Sequence, residues 1–134
     1  MAASPEKSPQ TADSTAEKQG ASDWHLKLFT KSVLKQAKLR ELCLSLGETE
    51  GKECLDLGSD NGVISYYLRQ RGGCWSSADL TEEAVSSITS LVHERVALCT
   101  GDSLPFEDNA FDAVAVVDML EHVEDDRVFF QELY

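Results

Sequence analysis

From Lys52 onward, short apolar runs alternate with segments of helical character, and this alternation restricts the possible folds more than any other feature of the chain. Strands are predicted near Glu53–Leu57, Cys74–Ala78, Val96–Thr100 and Ala113–Val117. Helices fit Asn61–Arg71, Glu82–His93 and the stretch from Val123 to the end. Thr81 supplies a hydroxyl cap, and Glu82 and Glu83 suit the positive end of the helix that follows. Strand, helix and strand in succession imply a parallel sheet with right-handed crossovers. The fold expected is a doubly wound α/β domain with helices on both faces.

Upstream of Lys52 the chain reads differently. Met1–Ser22 is rich in Ala, Ser, Thr, Glu, Lys and Gln and lacks large apolar side chains, so it is expected to stay disordered. A leading amphipathic helix is predicted over 23–47, with Leu26, Phe29, Val33 and Ala37 at helical spacing. Asp23 could cap it and Gly47 could end it. Lys27, Lys31, Lys35 and Lys38 share one face of this helix. A basic stripe can mark an acidic membrane surface, but a solvated face, or one paired with the chain's own acids, is favoured. Ordinary core packing is favoured for Trp24 and Phe29 over a place lining a cleft.

Charge narrows the partners. The net charge is −12, and between Gly101 and Tyr134 the acids face Arg127 alone. Such a surface repels phosphate backbones, so nucleic acid is not an expected partner. Much of this acid, Glu124–Asp126 in particular, is read as aiding solubility. No apolar run is long enough to span a membrane, and the N-terminus has no apolar signal segment, which makes the cytoplasm the expected location. Cys43, Cys54, Cys74 and Cys99 lack the paired spacing of a metal or redox site and are read as reduced thiols.

The chemistry begins at the first strand-to-helix turn, Cys54-Leu55-Asp56-Leu57-Gly58-Ser59-Asp60-Asn61-Gly62. A strand ending in Asp, a glycine-bearing loop and then a helix place a ligand at the carboxyl edge of the sheet. A dinucleotide loop normally reads G-x-G-x-x-G, whereas here Asp60 stands two residues after Gly58. Its carboxylate would repel a pyrophosphate. A cofactor with cationic groups and no phosphate is electrostatically compatible.

Here a family resemblance emerges. Leu55–Gly62 resembles the first motif of class I S-adenosylmethionine-dependent methyltransferases. Gly101–Asp112 resembles the stretch leading into their fourth strand, and Val116–Val123 resembles that strand's end and the turn after it. The nearest group is the broad one, of methyltransferase type 11, that includes quinone-biosynthesis and other small-molecule enzymes. The three motifs occur in order over about Lys52 to Tyr134. Asp60 departs from the pattern, because the family often has a small residue there.

The resemblance implies a Rossmann-like fold, S-adenosylmethionine as cofactor and a small-molecule or lipid-like acceptor. Asp56 would help hold the loop and the methionine ammonium, while Gly58, Ser59 and Gly62 would let the backbone approach the cofactor. Asp79 would accept the ribose hydroxyls; capping the next helix is the competing role. Asp102 would accept from the adenine amino group, with Ser103 offering a backbone N–H. Asp118 would lie near the transferred methyl group. Asp118 and His122 are weak catalytic candidates, and His122 is read as more often structural. Phe111 and Asp112 are read as packing and structural residues.

The family fold has seven strands and only four can be placed here. The chain is therefore expected to be a fragment, truncated after about four strands, that alone binds the cofactor poorly. Two other readings stay open: a dinucleotide-dependent oxidoreductase, and a non-catalytic interaction module. The residues identify no metal and no protein partner.

Overall fold

The computed structural model describes residues 11–134, with side chains described from residue 14. Four parallel strands, β1 (Glu53–Leu57), β2 (Cys74–Asp79), β3 (Val96–Leu98) and β4 (Ala113–Val116), form one sheet in the order β3-β2-β1-β4. Central β1 places Leu55 opposite Ser76 and Val114, and Asp56 opposite Ser77 and Ala115. Edge strands β3 and β4 are shorter than predicted, as befits strands with one neighbour each.

Successive side chains of β1 point to opposite faces. Leu55 and Leu57 pack with Ala78, Met119 and Phe129, where α5 (Asp126–Leu133) covers the sheet. Cys54 packs on the other face with Leu68 and Trp75, beneath α3 (Val63–Arg69) and α2 (Val33–Leu46). Between β2 and β3 runs α4 (Glu82–Val92), capped by the Thr81 hydroxyl, which accepts from the Ala84 N–H at 3.1 Å. The doubly wound α/β fold is therefore present. Asp112 is structural: its carboxylate accepts from the Glu53 N–H at 2.9 Å and helps tie β4 to β1.

The leading region corrects two expectations. Residues 1–10 of the expected disordered stretch lie outside the described residues, but the chain is helical from Thr11 in α1 (Thr11–Lys31). Polar contacts hold this helix to α4: the Ser22 and Ser90 hydroxyls share a 2.6 Å hydrogen bond, and Lys18 donates to Ser86 at 2.8 Å. A periodicity of apolar residues cannot register such contacts. Asp23 consequently falls inside a helix instead of capping one.

The second correction is a break at Ser32, which turns the single predicted helix into α1 and α2. The extended backbone of Ser32 caps α2, its hydroxyl accepting from the Lys35 N–H at 3.3 Å. The Gln36 amide donates to the Phe29 and Thr30 carbonyls at 3.3 and 2.8 Å, satisfying acceptors that the end of α1 leaves open. This resets the helical phase. Phe29 is buried against Tyr67, but Val33, which shares its spacing, is 82% exposed. Trp24 is also largely exposed, against its His25 neighbour, and is not a core residue. Gly47 does end α2, with its N–H on the Cys43 carbonyl at 3.1 Å.

The final helix begins later than Val123, as α5 at Asp126, and a separate 3₁₀ turn (Leu120–His122) precedes it. Asp125 caps α5 by accepting from the Arg127 and Val128 N–H groups, a structural task beyond the solubility expected of it. The four cysteines are free, and burial pushes the Cys99 thiol up to about 11. Among the described residues no helix is long and apolar enough to cross a membrane.

Candidate functional site

The sheet order reverses between β1 and β4, and a doubly wound sheet has its ligand crevice at such a point, outside the carboxyl ends of the strands. A cleft of about 450 Å³ opens there. The loop residues Ser59, Asp60 and Asn61 and the strand end Val116–Asp118 form one side, and Phe29, Lys35, Lys38 and Leu39 of the leading helices the other. A cavity of similar size, about 480 Å³, lies between Gln36, Arg40, Tyr67 and Arg71 and contains none of the predicted site residues.

Asp56 lies below this cleft and has no exposed surface. One carboxylate oxygen accepts from the Ser65 hydroxyl at 2.5 Å, the other from the Ser77 hydroxyl at 2.7 Å, and Arg69 stands 3.6 Å away. Burial pushes its pKa up, opposed by the two hydroxyls and by Arg69. These contacts accord with the expected part of Asp56 in holding the loop. Its register opposite Ser77 and its place beneath α3 turn the carboxylate inward, where it fastens β1, β2 and α3 together at the root of the loop.

The glycines are required by the chain's own packing. Gly58 has φ +83, and a Cβ there would lie 2.7 Å from that of Met119, in the turn after β4. Gly62 has φ +82, and its Cβ would lie 2.8 Å from the Ile88 Cα on α4. Both positions combine a left-handed backbone with a close approach, a pairing that only glycine accommodates without strain. Ser59 is buried and accepts from the Ser65 N–H at 3.2 Å, which anchors the loop to α3.

Asp79 ends β2 with both carboxylate oxygens engaged, one by the Asp60 N–H at 3.0 Å and the other by its neighbour Leu80 at 2.7 Å. It clamps the Asp60 loop and leaves the capping of α4 to Thr81. A carboxylate oxygen has more than one acceptor direction, so Asp79, buried at 8% exposure, keeps acceptor capacity beyond these two bonds. Asp60 holds a left-handed backbone, φ +57, and borders the cleft.

The remaining predicted residues separate into two places. Asp118 borders the same cleft as Ser59 and Asp60. Asp102 and His122 instead share a smaller depression with Val123 and Asp125. Asp102 is exposed and accepts from the Thr100 hydroxyl at 2.8 Å, while the carbonyl of exposed Ser103 accepts from the Thr100 N–H at 3.1 Å. His122 lies 3.4 Å from Glu121, both well exposed. His122, on the 3₁₀ turn Leu120–His122, borders that depression and not the cleft that Asp118 borders.

Sequence reasoning missed several contributors. Ser65, Arg69 and Ser77 became partners of Asp56 only once three elements converged, and nothing in their spacing advertises this. Lys35 and Lys38 were visible as part of a basic stripe, but the break at Ser32 decides that they face the cleft.

The fold is shared with several solved structures. A SAM dependent methyltransferase from Aquifex aeolicus superposes with a TM-score of 0.64 at 22% identity, covering 71% of this chain and 55% of that one. The YcgJ protein from Bacillus gives 0.67 at 23%, covering 73% and 44%. A chain of the complex between the Haloferax volcanii Trm112 methyltransferase activator and a methyltransferase gives 0.64 at 22%, covering 87% and 53%. The present chain thus spans about half the length of these structures, and at such identities they share its fold alone. No curated protein matches it. The model of the family described as a methyltransferase domain matches residues 55–134, from β1 through α5. This chain belongs to that methyltransferase family.

Proposed function

We propose that the protein transfers a methyl group from S-adenosylmethionine to a small-molecule or lipid-like acceptor, and that this chain carries the cofactor-binding half of the domain. The observation that carries this is the Asp60 loop, clamped by Asp79 at the switch point of the sheet, with the Asp60 and Asp118 side chains on one cleft. The donor set fits the cofactor: carboxylates suit its sulfonium and ammonium groups, and the Asp60 carboxylate in the loop would repel a pyrophosphate there. When bound, S-adenosylmethionine supplies an activated methyl group whose transfer leaves a neutral thioether. The chain's own residues bind and orient. Asp79 accepts the ribose hydroxyls while retaining the loop, and the Gly58–Gly62 backbone cradles the methionine end. Asp102 and Ser103 receive the adenine, and Asp118 borders the transferred methyl. A positioned acceptor in a closed cleft accounts for much of the acceleration.

Titration calorimetry tests the reading. S-adenosylmethionine should bind this chain with a dissociation constant on the order of 100 μM, while NAD gives no heat. Asp79→Ala should weaken that binding about 10- to 100-fold, because it removes both the hydroxyl acceptor and the loop clamp. Binding of NAD in preference to S-adenosylmethionine would restore the oxidoreductase reading.

A further inference from the structure

We propose that the acceptor is an amphipathic anion, its apolar body lying against Phe29, Leu39 and Val116 and its carboxylate or phosphate held by Lys35 and Lys38; this rests on the methyl-transfer reading of the cleft. The chain carries a net charge of −12, yet two lysines three residues apart on α2 border one cleft. Positions i and i+3 share a helix face, so both can address one group. Among the described residues the ion pairs are Arg69–Asp56, Arg95–Glu53 and His122–Glu121, and neither lysine belongs to one. The acids bordering the cleft, Asp60 and Asp118, are matched by the two cationic groups of the cofactor. The cofactor's carboxylate is the rival ligand for these lysines, and the S-adenosylhomocysteine affinity of the variant below separates the two assignments; beside the lysines the leading helices present apolar Phe29, Leu39 and Leu42. A molecule that satisfies both wall types has an apolar body and an acidic head.

Three probes with one body distinguish the possibilities: decanoate, decyl phosphate and decanol, each below its micellar concentration. They are titrated calorimetrically into the chain with and without saturating S-adenosylhomocysteine. At low ionic strength at least one of the anions should bind about tenfold more tightly than decanol, and which one does so identifies the head group. In Lys35→Gln/Lys38→Gln that preference should shrink to within about twofold, with the affinity for S-adenosylhomocysteine changed by no more than about twofold. Equal binding of all three probes, or a preference that survives in the double variant, overturns the proposal. So does a loss of about tenfold or more in S-adenosylhomocysteine affinity in that variant, which would assign the lysines to the cofactor's carboxylate. If the wild type retains the anion preference but does not bind S-adenosylhomocysteine, the methyl-transfer reading fails while the anion site stands.

Discussion

Replacing Asp56 with alanine is expected to lower the free energy of unfolding by about 3–5 kcal/mol, the range for breaking a buried ion pair by removing one partner. The carboxylate is wholly buried and joins Ser65, Ser77 and Arg69, so its removal takes the acceptor from two hydroxyls and the counter-charge from the guanidinium, although the Ser77 hydroxyl still accepts from Arg69 at 2.9 Å. Arg69 also donates to the Trp75 carbonyl at 3.2 Å and keeps some order without Asp56. Domains are stable by only about 5–15 kcal/mol, so such a loss should be plain in a urea titration followed by circular dichroism. Asp56→Asn should lose less, because its amide still offers an acceptor to one hydroxyl. A pH series adds a second test. Burial raises the folded carboxyl's pKa, so its contribution is full below the unfolded chain's ordinary value and is lost as pH rises through the folded value. The Asn variant should lack that component. An Asp56→Ala midpoint close to the wild-type value would show that the buried cluster does not form.

The second large effect is expected at Gly62. Gly62→Ala must hold a left-handed backbone, costing about 1–3 kcal/mol, and must also place a methyl carbon 2.8 Å from the Ile88 Cα. Displacing a packed helix adds about 1–3 kcal/mol, so the combined loss is about 2–6 kcal/mol. The neighbour that must move is backbone in the middle of α4, and no side-chain rotation relieves it. Gly20→Ala is the matched control. That glycine lies inside α1 with nothing within 4 Å of a Cβ, so the same substitution should stabilise by about 0.5–1 kcal/mol. Opposite signs for the two substitutions in urea denaturation would support the geometry, whereas a neutral Gly62→Ala would contradict the close approach to α4.

Both sites were named from sequence, and in both the structure added to the reason. Asp56 was expected to hold the loop and a ligand's ammonium, and Gly62 to let the backbone approach a ligand. The structure adds contacts with residues distant in the chain, Ser77 for Asp56 and Ile88 for Gly62. Asp79 moved less, since its place at the end of β2 follows from the strand boundary alone. What spacing could not convey is that its carboxylate already grips the Asp60 N–H. Asp102, His122 and Asp118 were legible as acids and a histidine near strand ends. Their division between a cleft and a separate depression depends on the 3₁₀ turn at Leu120–His122. Three residues of tightened backbone leave no periodic trace.

By itself the amino-acid order determined the α/β alternation, the four strands, the Thr81 cap and the strand-to-helix loop that bears the family's motif. These are local, because hydrophobic period, capping and turn chemistry are written within a few neighbouring residues. Only the tertiary structure decided that α1 and α2 are separate helices, that Val33 is exposed and Phe29 buried, and that Lys35 and Lys38 face Asp60 and Asp118 across a cleft. The physical reason is that a side chain's neighbours across space are set by helix phase and strand order, and one extended residue, Ser32, resets the phase of all that follows it in α2.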